Sequence, residues 1–321
     1  MHGELAEDEI IGDRASALAK LLIGDASHLP NQTTRQEWLK IQSERKQRIR
    51  HYCDDKLAAN LTAVAHQISL GRYITPHWSK NFVTHENFTF VNCNIPKAAS
   101  TSIKIAIANI TGKLHLPHNQ PEFTFHKWTY LNNTGLIGME YLPLEDIINR
   151  LQKYTSFVIV RHPIDRIISA YKDKIQSRGP SRISNIVVSI MKFCGIRKNR
   201  NSWRYVKITF PHFVDWLVTT KNNNAHWQSY RDLCFPCDIN FTYIGHLETI
   251  DTDMFHIFNE LIGTELALEV LKNNPRLNGG SARDVASLAL HFKDLTLKQL
   301  RELNAYAGDD MDMFGYLPLT L

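Results

Sequence analysis

Val91-Asn92-Cys93-Asn94-Ile95-Pro96-Lys97-Ala98-Ala99-Ser100-Thr101-Ser102-Ile103-Lys104 decides how this chain is read. Phe88, Phe90 and Val91 predict a short buried strand, and Ile103, Ile107 and Ile110 share one face of a helix over Ser100–Ile110. Between strand and helix lies a polar loop that holds Lys97. Such a junction suits an anion, because unpaired backbone N–H groups and the positive end of the helix dipole converge on the loop. Lys97 adds a point charge, and the hydroxyls of Ser100, Thr101 and Ser102 add donors. The glycines of G-x-x-x-x-G-K-[ST] are missing, so this is not the usual nucleoside-triphosphate loop. An ordinary strand-to-helix turn with a capped helix has the same local pattern.

A second junction narrows the choice. Residues 154–160 (YTSFVIV) form a β-rich apolar run that passes straight into Arg161-His162-Pro163-Ile164-Asp165-Arg166-Ile167-Ile168-Ser169-Ala170-Tyr171. Pro163 suits the first turn of a helix, and Ile164, Ile167, Ile168 and Tyr171 keep helical spacing. Arg161 stands at the strand end with a planar fork suited to phosphate. Ser169 lies two turns along, where its hydroxyl can meet the same group.

In this order and at this separation the two stretches resemble the sulfotransferases that use 3′-phosphoadenosine 5′-phosphosulfate (PAPS). Pro96-Lys97-Ala98-Ala99-Ser100-Thr101-Ser102 is similar to the family's 5′-phosphosulfate loop, and Arg161 through Ser169 to its 3′-phosphate motif. Further on, Ala225-His226-Trp227-Gln228-Ser229-Tyr230-Arg231-Asp232-Leu233-Cys234-Phe235-Pro236-Cys237-Asp238 and Tyr243-Ile244-Gly245-His246-Leu247-Glu248 resemble the membrane-bound carbohydrate branch, the chondroitin, dermatan and HNK-1 type enzymes of the Golgi. Phe314-Gly315-Tyr316, preceded by Tyr306 and Asp312, is similar to that branch's closing helix and tail. The resemblance covers residues 88–316, most of the chain. It implies an α/β fold: a P-loop-like parallel β-sheet flanked by helices, with a helical N-terminal extension. Residues 1–85 are expected to be stem or helical extension, and 86–321 the sulfotransferase domain.

With 321 residues and 43% hydrophobic content the chain can bury a full core. A formal charge of +5 with 15 histidines is mildly basic, short of a nucleic-acid-binding composition and suited to an anionic partner such as a nucleotide or an acidic glycan. No window approaches the roughly eighteen apolar residues of a membrane span. The best, residues 15–24, contains Lys20. Residues 1–13 are acidic where a signal peptide starts basic. The resemblance nevertheless implies the Golgi lumen or secretory pathway, and sequons at Asn31, Asn60, Asn87, Asn109, Asn132 and Asn240 agree with it. Asn109 falls on the expected helix, which disfavours its use.

Five cysteines leave at least one unpaired within the chain. Cys234 and Cys237, in Cys-Phe-Pro-Cys, suit a zinc half-site, a redox pair or a lumenal disulfide, and a second ligand pair at zinc spacing is missing. The resemblance favours disulfides, with pairing open between the two and with Cys53 or Cys194. Cys93, inside a strand, reads as a small buried residue.

Along the chain, residues 1–30 read as a stem or arm with one weak helical pattern near residues 15–23. Residues 33–70 read as helical, with Trp38, Ile41, Ile49 and Tyr52 loosely periodic, and the basic run from Arg45 to Arg50 reads as a solvated face in preference to a glycan-binding surface. Residues 122–128 (EFTFHKW) read as extended. In heparan-type relatives a histidine following the phosphosulfate helix is the base, and the resemblance makes His126 its nearest counterpart here; a buried structural histidine is the other reading of His126, with His226 and Glu122 as alternative bases. The basic segment after Tyr171, with Lys172, Lys174, Arg178, Arg182, Lys192 and residues 197–200 (RKNR), suits the lining of an acceptor groove or a solvated insertion, and the groove is preferred because the segment directly follows the cofactor helix. Residues 210–219 and 285–306 read as helices, and residues 241–247 as a strand ending near Glu248. Arg283, in a Gly-containing turn, is a candidate for closing over the nucleotide.

The implied chemistry is transfer of a sulfuryl group from PAPS to a sugar hydroxyl of an anionic glycan, with no metal and no nucleic acid. Lys97 and the N–H groups of residues 98–101 would meet charge growing on the leaving 5′-phosphate, and Arg161 with Ser169 would select the 3′-phosphate. Two alternatives stand beside it. A kinase with a divergent phosphate loop is opposed by the missing glycines and by the lack of an acidic strand end for magnesium. A non-catalytic glycan-binding relative is opposed by the intact Lys97, Arg161 and Ser169; Ala99 and Ser100, where the family commonly has Gly and Cys, keep it open.

Overall fold

The computed structural model describes residues 9–23, 33–57, 77–111, 134–176, 184–196, 207–273 and 285–321. In chain order the elements are α1 (Ala15–Ile23), α2 (Arg35–Leu57), β1 (Phe82–His85), β2 (Phe90–Cys93), α3 (Ser100–Ile110), β3 (Leu136–Gly138), α4 (Leu144–Lys153), β4 (Thr155–Val160) and α5 (Pro163–Tyr171). There follow α6 (Asn185–Phe193), α7 (Phe210–Thr220), α8 (Tyr230–Cys234), β5 (Tyr243–His246), α9 (Ile250–Ile262), α10 (Thr264–Lys272), α11 (Val285–Phe292) and α12 (Leu297–Phe314).

The expected α/β architecture is present, with a five-stranded sheet in the order β3-β1-β2-β4-β5. Strands β2, β4 and the edge strand β5 run parallel, Cys93 facing Val158 and Val160 facing His246. The sheet is mixed rather than wholly parallel. β1 returns into β2 through residues 86–89, too short a link for a crossover, so the two must pair antiparallel. Phe88, read as part of the strand, lies in that turn, and the strand begins at Phe90.

β2 is buried throughout and β4 almost so, as strands covered on both faces must be. On one face Ile103 and Ile107 of α3 pack with Phe90, Phe157 and the α9 residues Met254, Ile257 and Phe258. On the other, Val91, Val158 and Val160 meet Tyr230, Leu233, Met313 and Phe314. A third cluster joins α1, α5, α6, α7, α11 and α12 around Phe213, Trp216 and Trp227. Because β2, β4 and β5 are parallel, their carboxyl ends lie along one edge, where ligands of open α/β sheets bind.

The N-terminal helices belong to the packed structure. The weak pattern at residues 15–23 is α1, and its Leu18, Ala19 and Leu22 are buried in the third cluster rather than lying on an arm. α2 closes the open side of the edge strand β5. Ile244 N donates to Gln42 Oε1 at 2.8 Å, and Ile244 O accepts from Gln42 Nε2 at 3.1 Å and Arg45 Nη1 at 2.6 Å. Covering an edge this way removes a pairing template. Asp253 of α9 anchors the arrangement, accepting from Trp38 Nε1 at 2.9 Å, Arg45 Nη1 at 2.8 Å and His246 N at 2.9 Å. Arg45, read as part of a solvated basic face, is therefore an internal structural cation.

Two disulfides tie these layers, Cys53–Cys237 and Cys93–Cys234, and Cys194 is free. Cys93 is thus a bridge partner and not merely a small buried residue. The cysteines of Cys-Phe-Pro-Cys pair outward rather than with each other: Cys234 looks toward β2, and Cys237 toward α2. Phe235, in the left-handed region at φ 51°, turns the chain between them.

Gly245 marks how closely α9 approaches the sheet. A Cβ there would press on Ile159 Cδ1 and lie 3.3 Å from Asp253 Cβ. Gly245→Ala is expected to destabilise the protein by about 1–3 kcal/mol, the usual range for overpacking, as measured by the urea midpoint.

Candidate active site

The anion loop follows β2 at the carboxyl edge. Residues 96–99 form the turn, and Lys97 and Ala99 both adopt left-handed backbone, φ 69° and 58°. Left-handed residues alternating with ordinary ones curl the chain into an anion-binding concavity, and the first-turn N–H groups of α3 have no helical acceptor. Ala98 N–H is committed within the turn, to Ile95 O at 3.2 Å, so it is not one of the free donors expected from the sequence. A positive φ is one that glycine adopts without strain, and Ala99 holds it here without a glycine.

Lys97 Nζ lies 3.0 Å from Asp173 Oδ2, and Lys174 Nζ lies 3.0 Å from the same oxygen. Asp173 and Lys174 come from a single π-helical turn, Lys172–Gln176, that continues α5. The wider turn presents adjacent residues toward the loop, as such insertions often do at functional sites. Burial works against ionisation of Asp173, but hydrogen bonds from Lys174 and Lys97 outweigh it and hold the carboxyl at about 2.

Arg161 extends from the end of β4. Its Nε and Nη2 donate to Asp165 Oδ2 and Oδ1 at 2.7 and 2.6 Å, and its Nη1 donates to Lys97 O at 3.1 Å. The fork expected to take phosphate is therefore engaged by Asp165, one turn along α5. With five N–H groups on a guanidinium, one on each terminal nitrogen remains without a hydrogen bond among the described residues. Ser169, one further turn along the same face, is the one residue of α5 that is not buried.

Arg166 points the other way and is 1% exposed. Its Nε donates to Pro96 O at 3.2 Å, Nη1 to Gln228 O at 2.7 Å and Nη2 to Ala225 O at 2.7 Å, while the guanidinium rests 4.8 Å from the Tyr230 ring centre. This cation fastens the anion loop to the His-Trp segment. Tyr230 in turn brackets Arg161, receiving its N–H at 3.1 Å and donating to its carbonyl at 2.6 Å. Glu248, at the end of β5, accepts from His162 N at 3.0 Å and Tyr316 Oη at 2.8 Å, which joins the two most distal motifs to the start of α5.

His226 is the candidate base that the structure brings to this cluster. Burial, and then the charges of Lys174 and Lys97, push its imidazole down to about 4; Asp173 opposes the shift and Arg166 adds to it. Its Nδ1 and backbone N both contact Asn224 Oδ1, at 2.7 and 3.0 Å. His126, Glu122 and Arg283 lie outside the described residues, as do Arg178, Arg182 and residues 197–200.

The structure thus gathers Pro96 to Ser102, Arg161 and Ser169 at one edge, with His226 within the field of Lys97. Sequence reading missed Asp173, Asp165, Arg166 and Asn224. The four-residue spacing of Arg161 and Asp165 was a legible helical pair. It also missed Glu140, just beyond β3, whose Oε2 is buried without a hydrogen-bond partner among the described residues. Burial raises the Glu140 carboxyl, and nearby Lys104 is lowered by its own burial.

A family model described as "Sulfotransferase family" matches residues 80–317. The chain belongs to the sulfotransferase family. Among its relatives, carbohydrate sulfotransferase 10 of Xenopus laevis is 26% identical over 86% of this chain and 76% of its own length. The Homo sapiens protein of that name has the same identity and coverage. Carbohydrate sulfotransferase 11 of Danio rerio is 26% identical over 82% of this chain and 74% of its own length. No solved structure was found that matches the chain significantly. This sulfotransferase has, among its described residues, no helix long and apolar enough to cross a membrane.

Arg166→Lys keeps the charge but not the fork, and leaves buried carbonyls without donors at about 1–3 kcal/mol each. The expected loss of stability is roughly 2–4 kcal/mol by denaturant titration on that same scale, with Arg166→Ala more severe.

Proposed function

We propose that this sulfotransferase transfers a sulfuryl group from PAPS to a hydroxyl of a glycan. The observation that carries the reading is the 3.1 Å bond from Arg161 Nη1 to Lys97 O. It binds the loop suited to one phosphate directly to the cation suited to another, as a nucleotide with anionic groups at both 5′ and 3′ positions requires. The donor set fits such a ligand: Lys97, Lys174, Arg161, first-turn N–H groups and the hydroxyls of Ser100, Thr101, Ser102 and Ser169.

PAPS supplies an activated sulfuryl group on a good leaving phosphate. Lys97 and Lys174 hold positive charge where that phosphate would gain negative charge, and Asp173 keeps the two ammonium groups together until then. Asp165 fixes the plane of Arg161, so the remaining N–H groups and Ser169 face the 3′-phosphate position. His126 remains a candidate base on the family resemblance alone. The relatives' names carry the carbohydrate acceptor, and the basic surroundings suit an anionic one. A Golgi lumenal setting agrees with the two disulfides and with sequons at Asn87 and Asn240, both exposed.

Calorimetric titration with 3′-phosphoadenosine 5′-phosphate, with ATP as control, tests the reading. The bisphosphate is expected to bind and ATP far more weakly. Arg161→Ala is expected to weaken binding by about 10- to 100-fold, the worth of charge-assisted hydrogen bonds. Lys97→Ala is expected to keep affinity within a few-fold and to slow turnover by about 10²–10³. Equal affinity for ATP, or unchanged affinity in Arg161→Ala, would refute the assignment.

A further inference from the structure

We propose that His226, locked by Asn224 into one tautomer beside the Lys97–Asp173–Lys174 cluster, is the general base for the acceptor hydroxyl, and that neutralisation of this cluster by an anionic donor makes its Nε2 basic enough to serve. The proposal rests on the PAPS reading above and deepens it.

The tautomer follows from one oxygen. Asn224 Oδ1 accepts the backbone N–H of His226 at 3.0 Å, so that atom is the carbonyl oxygen of the amide and can only accept. The 2.7 Å contact to Nδ1 is then an Nδ1–H donating to it. In the neutral ring the lone pair is therefore on Nε2, which makes no hydrogen bond among the described residues. Asn224 acts as a positioning residue, fixing both the tautomer and the ring plane.

The position follows from Arg166. Its guanidinium grips the carbonyl of Ala225 with one nitrogen and that of Pro96 with another, so the residues preceding His226 and Lys97 hang from one rigid cation. The charged groups whose fields reach the imidazole are Lys97 from the loop, Asp173 and Lys174 from the π-helical turn, and Arg166 from α5. Three cations against one carboxylate leave a positive field that, with burial, keeps the ring neutral and a poor proton acceptor. Phosphate and sulfate oxygens set against Lys97 and Lys174 cancel that field, and the proton affinity of Nε2 rises toward that of an ordinary imidazole. One binding event thus both delivers the donor and activates the base.

In the step itself Nε2 takes the proton of the acceptor hydroxyl. The acceptor oxygen bonds to sulfur as the bond from sulfur to the 5′-phosphate oxygen breaks, and that electron pair leaves with the phosphate oxygen, stabilised by Lys97. The proton on Nε2 then passes to solvent.

Nitrogen-15 spectra of histidine-labelled protein test this, with His226 assigned by its loss in His226→Gln. Expected are an Nδ1–H tautomer, a titration midpoint near 4 in the free protein, and a midpoint at least about one unit higher with saturating 3′-phosphoadenosine 5′-phosphate. Calorimetry of that ligand near pH 6, in two buffers of different ionisation enthalpy, should show more proton uptake by wild type than by His226→Gln. The difference removes protons exchanged by the ligand itself. Asn224→Ala should scramble the tautomer, and Asn224→Asp, which keeps an acceptor, should restore Nδ1–H. A dominant Nε2–H tautomer, or a midpoint unmoved while the ligand is bound, overturns the proposal. No binding at all overturns the donor assignment and the arming with it, and calorimetry separates that case from the first.

Discussion

The buried guanidinium of Arg166 is the constraint on which the site depends. Charge in the interior is costly unless every donor is satisfied. Here three of its five N–H groups, one on each nitrogen, meet backbone carbonyls of Pro96, Ala225 and Gln228, and its plane rests on the face of Tyr230. Because carbonyls cannot be moved without moving the chain, the cation sets the distance between the anion loop and the His-Trp segment. Arg161 does a similar service between the two junctions through Lys97 O, with Asp165 as its counter-ion. Cations that organise backbone thus surround cations left to meet an anion.

The charge arrangement around Lys97 follows from the same economy. Two ammonium groups close enough to hold one anion repel each other in its absence, and Asp173 bridges both. Its low proton affinity is a product of those bonds overcoming its own burial. Asp173 and Lys174 reach that surface from the π-helical turn after α5. The same positive field reaches His226, so the electrostatics of donor binding and of proton transfer are coupled through a few side chains.

Elements beyond the family match complete the scaffold. The match begins at residue 80, yet α2 saturates the open edge of β5 through Gln42 and Arg45, and α1 fills the third core cluster. Cys53–Cys237 and Cys93–Cys234 fasten α2 and the end of β2 to the segment that also carries His226 and Tyr230. The loop of Lys97 begins three residues after the second bridge's Cys93. Strand end, bridge and Arg166 together leave that loop little freedom.

The sequence by itself determined the two strand–loop–helix junctions, the parallel core they imply, and Lys97, Arg161 and Ser169 as the residues at their ends. Those features are local: apolar periodicity, a proline at a helix start and hydroxyls in a first turn act over a few residues, where the backbone alone decides the geometry. The tertiary structure alone decided that Cys93 is bridged, that β1 pairs antiparallel, that Arg45 is internal, and that Lys97 meets Asp173. It also decided that His226 joins the cluster and that Arg166 holds it there. Apart from the β1 pairing with its neighbour β2, these are pairings between residues distant in the chain or a choice among several equally suitable partners. Charge, thiol and hydrogen-bond chemistry name the candidates for such pairs, but only the packed sheet and helices bring one candidate within bonding distance and remove the water from the others.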